Sequence, residues 1–294
     1  MSNPQKIVKA VIPAAGFGTR MLPATKVLSK EMLPVAGKPL IQYAIEEAAA
    51  SGIMAVVVVV RSCKSLIRSH FARDLALESF LEGRQSTAAE AIRNLTELVD
   101  LQFVEQQQPL GLAHAICCAK PLMGAQPFAV LLPDVIMMNG NPVTRQLINA
   151  HEQRGGSVVA IRQVESQEVE RHGIVQAEPS IGDTSGQPIR VTGLIEKPQA
   201  DRTPSRLGVF GRYVLEPSVW DAIEHTRPDT RGEIQLTDAL NGLCKNSTLF
   251  GLCFEGQHYD AGDPLGYVKA NVALTLRDPL LRQPLQEYLS HMQA

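Results

Sequence analysis

An apolar stretch, Ile7 to Ile12, runs directly into Ala14-Ala15-Gly16-Phe17-Gly18-Thr19-Arg20, and Lys30 follows ten residues after the arginine. A strand ending in small residues brings main-chain N–H groups close to whatever lies beyond it. Glycine adds backbone angles that other residues resist. With a cation at either end, such a loop suits a polyphosphate. No Gly-Lys-Ser/Thr follows, so it is not a Walker loop, and Gly16-Phe17-Gly18 lacks the third glycine of a dinucleotide fingerprint. The loop needs a sheet whose strand ends face a ligand.

The first half of the chain supplies one. Nearly continuous apolar runs predict strands at 7–12, 54–61, 101–105 and 127–132, as expected of strands buried on both faces. Helical patterns lie between them at 39–51, 64–82, 88–98 and 112–119, the first opened by Pro39 and stopped by Gly52. This alternation implies right-handed crossovers and a mostly parallel sheet flanked by helices. The second half changes character. Strands are predicted at 157–164, 173–177, 189–196 and 206–214, with a Gly/Pro/Asp-rich turn near 181–188, and helices at 217–225, 233–244, 264–277 and 283–292. The close spacing points to an antiparallel or mixed extension of the sheet. No flexible linker and no repeat is visible.

With 294 residues the chain can bury a substantial core, and a formal charge of −2 gives no electrostatic case for nucleic acid or membrane partners. The longest apolar run, Ile53 to Val60, is too short to span a bilayer. Cys63, Cys117, Cys118, Cys244 and Cys253 show no paired spacing, so they read as reduced, core-filling thiols. A cytoplasmic location is expected.

Three further constellations carry chemistry. Leu131-Leu132-Pro133-Asp134 sets a carboxylate at the carboxyl end of a buried strand, where it can hold Mg²⁺ or merely cap a turn. Gln106 opens a polar segment, Gln106 to Ala115, after the 101–105 strand; its amide can pair with an imide edge, or the segment is a plain loop. Gly111 permits backbone approach there, and His114 reads as a packing histidine. Leu194-Ile195-Glu196-Lys197-Pro198 ends a strand with an acid that accepts from hydroxyls and a lysine that meets phosphate, or with a surface ion pair.

The opening loop, continued through Pro23, Thr25, Lys30-Glu31 and Leu33-Pro34, resembles the signature of nucleotidyltransferases that join a nucleoside triphosphate to a sugar 1-phosphate. Its LPATK, KEMLPV and KPLIQY segments resemble those of the bacterial UTP–glucose-1-phosphate uridylyltransferases. The likeness runs from about residue 7 to 278 and takes in Glu233 to Ala239 as a further marker. It implies a Rossmann-like α/β fold with a mixed, mostly parallel central sheet and a smaller antiparallel sugar-binding extension. Residues 7–135 would then serve mainly the nucleotide and 136–278 mainly the sugar phosphate, leaving a helix in 279–294 for packing or oligomer contact.

The resemblance further implies roles. Ala14, Ala15, Gly16, Gly18, Thr19, Gln106 and Gly111 would bind UTP. Gly173, Glu196 and Lys197 would bind glucose 1-phosphate, with Arg20, Lys30 and Lys197 as the catalytic cations. Asp134 and Asp260 would hold Mg²⁺, Asp260 supplying the second carboxylate because this chain has Val135 where many relatives carry a further acid or an Asn. His172 replaces a tyrosine common in relatives. Homo-oligomer formation is expected. Thymidylyl transfer, or a silent paralogue that binds sugar nucleotide, are the alternative readings.

Overall fold

Five consecutive valines, Val56 to Val60, are stiff at χ1 and apolar on both sides, which commits them to the interior of a sheet. The computed structural model describes residues 6–61, 65–82, 84, 86–138, 140–178, 186–203 and 205–292. Cys63 and most of the expected turn near 181–188 lie outside them. In chain order the strands and helices of the first half are β1 (Lys9–Ala14), β2 (Pro34–Val35), β3 (Lys38–Pro39), α1 (Leu40–Ala50), β4 (Ala55–Val60), α2 (Ser65–His70), α3 (Leu75–Leu81), α4 (Ser86–Thr96), β5 (Asp100–Glu105), α5 (Leu112–Cys118), α6 (Lys120–Met123) and β6 (Phe128–Leu131). The second half contributes β7 (Val135–Met138), α7 (Val143–Arg154), β8 (Ser157–Gln163), β9 (Gly173–Glu178), β10 (Ile189–Glu196), β11 (Leu207–Leu215), α8 (Val219–Glu224), α9 (Leu236–Asn246), β12 (Leu249–Cys253), β13 (Gln257–Asp260), α10 (Pro264–Thr275) and α11 (Arg282–His291).

One sheet runs through both halves in the order β5-β4-β1-β6-β11-β8-β12-β10-β9. Strands β5, β4, β1 and β6 are parallel, with Val11 beside Val57 and Val58 beside Phe103, so their carboxyl ends share one edge. β11 enters antiparallel to β6 and β8, and its first residues also pair with β9. Helices cover both faces over two apolar cores. A third, smaller cluster of Leu33, Val35, Leu40, Ile136, Ala261 and Leu274 fastens the long loop after β1 onto β7 and α10.

Several expectations shift. The helix predicted over 64–82 breaks into α2 and α3, because Asp74 caps α3 by accepting from Leu77 N at 3.0 Å. The predicted start at 233 moves to Leu236, since Glu233 to Gln235 are engaged elsewhere. Helix α7 went unread because its buried face carries Thr144 and His151 among the apolar residues. Strand β13 hid inside a segment read only for its acids. Helix α11 fully buries none of its residues: Leu281, Tyr288 and Met292 are exposed, and Leu285 and Leu289 are half-buried.

Candidate active site

The loop after β1 folds as three short 3-10 turns, at Thr19–Met21, Ala24–Lys26 and Lys30–Met32. Gly18 sits at φ +67°, and a Cβ there would press on Thr25 Cγ2 at 3.1 Å and Lys30 Cβ at 3.2 Å. Thr25 Oγ1 locks the turn by donating to Gly18 O at 2.7 Å. The result is a cleft walled by Ala15, Gly16, Gly18 and Thr19 on one side and by Gln106 and Gly111 on the other, reaching Lys30 and Asp134. Ala14 is wholly buried at the end of β1 and does not line it. Arg20 is exposed and lines the neighbouring cleft instead.

Gln106 is buried, and its Nε2 donates to Gly111 O at 3.1 Å and His114 Nδ1 at 2.9 Å. Both amide protons are therefore engaged, and Oε1 is what the side chain has left to offer. The expected two-way pairing with an imide edge reduces here to its acceptor half. His114 is the satisfied histidine expected, and its bond fixes Gln106. Gly111, at φ +93°, has another occupant than the one foreseen: a Cβ would stand 2.8 Å from Ile234 O. Ile234 N donates to Leu110 O and Ala113 N to Ile234 O, which staples the segment before α9 onto the loop between β5 and α5.

Asp134 lies between β6 and β7. Strand β13 pairs with β7 so that Asp260 faces Val135, and Ala261 N donates to Asp134 O at 2.9 Å. A Cβ on Gly262 would lie 3.0 Å from Asp260 Oδ1 and 3.2 Å from Asp134 Oδ2, so both carboxylates converge on one spot. Lys30 Nζ meets Asp134 Oδ2 at 2.6 Å rather than standing free for phosphate. Burial disfavours the Lys30 ammonium, but Asp134, with Glu31 and Asp260, outweighs it and raises the lysine pKa. Burial likewise opposes the Asp134 carboxylate, and Lys30, helped by Arg212, holds it below its usual range. For Asp260, burial and then the Asp134 charge outweigh the Gly262 N–H and the Arg171 charge, and push it up. Two acids crowded in this way, one of them destabilised as an anion, have the chemistry to hold a divalent cation. Among the described residues no three His, Cys, Asp or Glu side chains form a metal-binding group.

Behind Asp134 stands Arg212, fully buried on β11. It donates to Leu132 O (2.9 Å) and Val135 O (2.8 Å), the carbonyls on either side of the Pro133-Asp134 pair, and to Glu47 Oε2 (3.0 and 2.7 Å). Thr144 N and Oγ1 satisfy Glu47 Oε1. Arg212 and Glu47 are 165 residues apart, so no local pattern in the sequence could have revealed the pair.

The second cleft is lined by Gly173, Glu196, Lys197 and Thr237, together with Asp134 and Asp260. Register places Gly173 opposite Glu196 across β9 and β10. Lys197 adopts φ +41°, an unfavourable angle for a non-glycine residue, held by its N–H to His172 O and by its ammonium on Glu196 Oε1 at 2.7 Å. His172 forms part of the wall, its ring 4.7 Å from that of Phe210. Burial lowers the His172 pKa. Arg171, Glu233 and Thr237 also line the cleft and were not foreseen as site residues. Only the marker segment Glu233 to Ala239 hinted at two of them. Asp134 and Glu233 border both clefts.

A family profile described as nucleotidyl transferase matches residues 9–277. The chain belongs to the nucleotidyl transferase family. It is 40% identical over 285 residues to UTP–glucose-1-phosphate uridylyltransferase 1 of Staphylococcus saprophyticus, covering 97% of this chain and 98% of that protein. It is 41% identical over 287 residues to UTP–glucose-1-phosphate uridylyltransferase YngB of Bacillus subtilis, covering 97% and 95%. Among solved structures it resembles a UDP-glucose pyrophosphorylase complexed with UDP-glucose, with a TM-score of 0.84, 35% identity and coverage of 92% and 99%. It also resembles a UTP-bound UGPase from Acinetobacter baumannii, with a TM-score of 0.86, 36% identity and coverage of 96% and 98%. The expected Rossmann-like nucleotidyltransferase fold is thus the one observed. Among the described residues no helix is long and apolar enough to cross a membrane. Cys117, Cys118 and Cys244 are free thiols whose pKa values burial raises, as befits core filling.

Proposed function

We propose that this nucleotidyl transferase moves a uridylyl group from UTP to α-D-glucose 1-phosphate, releasing UDP-glucose and pyrophosphate. The observation that carries the reading is the position of Asp134, on the border of both clefts and bonded to Lys30. A nucleotide in the first cleft and a sugar phosphate in the second would present their phosphates to each other there. The relatives named above, and the UTP and UDP-glucose in two of their structures, support the choice of substrates.

The attacking oxygen of a sugar phosphate is already anionic at neutral pH, so no general base and no covalent enzyme intermediate are needed. Catalysis rests on positioning and charge neutralisation. Backbone groups of Gly16 to Thr19 cradle the triphosphate, and Gln106 Oε1 accepts from the N–H of the uracil imide. Lys30 neutralises the phosphates as they approach, passing from Asp134 toward them. Lys197 holds the sugar phosphate, Glu196 accepts from sugar hydroxyls, and Arg20 meets the phosphates from the rim. Asp134 and Asp260 would hold Mg²⁺, which supplies charge neutralisation to the phosphate oxygens when bound. A chelator is expected to abolish turnover and added Mg²⁺ to restore it. The exposed apolar side chains of α11 would serve the expected homo-oligomer contact.

Two measurements test the scheme. Side-by-side turnover of UTP and dTTP with glucose 1-phosphate is expected to favour UTP, and a clear preference for dTTP would turn the assignment to thymidylyl transfer. With a single chiral thiophosphate at the α position of UTP, one in-line displacement gives inversion. Retention would mean two displacements and a covalent intermediate.

A further inference from the structure

Thr237 has had no part in the chemistry so far, yet three observations converge on it. Its Oγ1 donates to Glu196 Oε2 at 2.6 Å, while Lys197 Nζ holds Oε1 at 2.7 Å. Gly173, the partner of Glu196 across the β9–β10 ladder, has no space for a side chain. A Cβ there would stand 2.9 Å from Thr237 Oγ1 and 3.4 Å from Glu196 Oε2. Thr237 is also the second residue of α9, which brings the carboxylate against the first turn of that helix, at the positive end of its dipole.

We propose that Thr237 is a positioning residue that fixes the orientation of Glu196 for the sugar. The proposal rests on the uridylyl-transfer reading. A carboxylate accepts about four hydrogen bonds. Thr237 and Lys197 take one on each oxygen, and the remaining lone pairs are left in a fixed direction for hydroxyl donors. Without Thr237 the only side-chain bond to Glu196 among the described residues would come from Lys197, on a backbone already strained. The carboxylate would then follow the lysine and lose its aim. The same residue explains the glycine at 173: the volume of a methyl group there is taken by the Thr237–Glu196 bond.

The test is steady-state kinetics with UTP and glucose 1-phosphate on the wild type, Thr237→Val, Thr237→Ser, Glu196→Gln and the Thr237→Val/Glu196→Gln double variant. Thr237→Val, nearly isosteric, is expected to raise KM for glucose 1-phosphate about tenfold, the effect of losing one hydrogen bond to a charged group. KM for UTP should stay unchanged. Thr237→Ser keeps the hydroxyl and should restore the wild-type KM. In the Glu196→Gln background the valine should add little, because the group it positions is already altered. Should the valine variant not fold, Thr237→Ala carries the same comparison. An unchanged KM, a parallel rise in both KM values, or effects that multiply in the double variant would overturn the proposal. Failure of the functional reading looks different: the wild type itself would make no UDP-glucose.

Discussion

The two halves of the sheet position their site residues by different means. In the first, β4, β1 and β6 run parallel, so every strand delivers its carboxyl end to one edge, and the ligand loops follow in sequence. In the second, strands run both ways, and topology alone guarantees nothing. Gly173 begins a strand, Glu196 ends one, Asp260 ends another and Thr237 lies in the first turn of a helix. Register brings them together, with irregularities between Val191 and Gly193 and between Val209 and Tyr213. A parallel α/β half therefore reads out its site in contiguous motifs, whereas a mixed half scatters its site over separate elements.

The seam between the halves should be the most sensitive place. Arg212 on β11 reaches the carbonyls around Asp134 and pairs with Glu47 on α1, all within the interior. Arg212→Met leaves Glu47 buried without its cation, and a loss of about 3–5 kcal/mol in urea unfolding is expected. Replacing both partners by apolar residues should be milder, and a double-variant loss equal to the sum of the two single losses would deny that the pair is coupled. Next comes Asp134→Ala, which removes the acid that borders both clefts. Turnover should fall about 10²–10³-fold, or about 3–4 kcal/mol, with the fold retained. Near-wild-type turnover would show that the halves do not meet there.

Smaller effects separate the halves. Gln106→Ala removes one hydrogen-bonding group from the first cleft alone. KM for UTP should rise about tenfold with KM for glucose 1-phosphate unchanged. This mirrors the pattern expected for Thr237→Val on the other side, and a rise in both constants would blur the division. Smallest is Lys120→Ala, which breaks a surface pair with Glu224 remote from both clefts. Neither turnover nor melting temperature should move measurably.

Much of this was legible in the sequence, for physical reasons that differ by region. The valine run of β4 and the glycine loop after β1 announce themselves because local sterics and burial dictate them. Asp263, just before Pro264, caps α10 by accepting from Gly266 N at 2.9 Å, a bond between neighbours in sequence. Asp134 was visible because its strand ends there. Arg212 was not, and Thr237 was legible only as part of the Glu233 to Ala239 marker, a residue that could touch solvent or the sugar pocket, since their meaning lies in partners brought close only by strand register and a bulge. The Gln106 amide was seen but only half understood: its partner His114 looked like packing, and the bond between them decides which face of the amide a base can meet.

The most direct test of the account is pyrophosphate release by the purified protein in Mg²⁺, with UTP alone, glucose 1-phosphate alone and both together. Two clefts that meet at Asp134 predict pyrophosphate only from the complete mixture, in a one-to-one ratio with UDP-glucose. Release from UTP alone at the same rate, or none from the mixture, would contradict it.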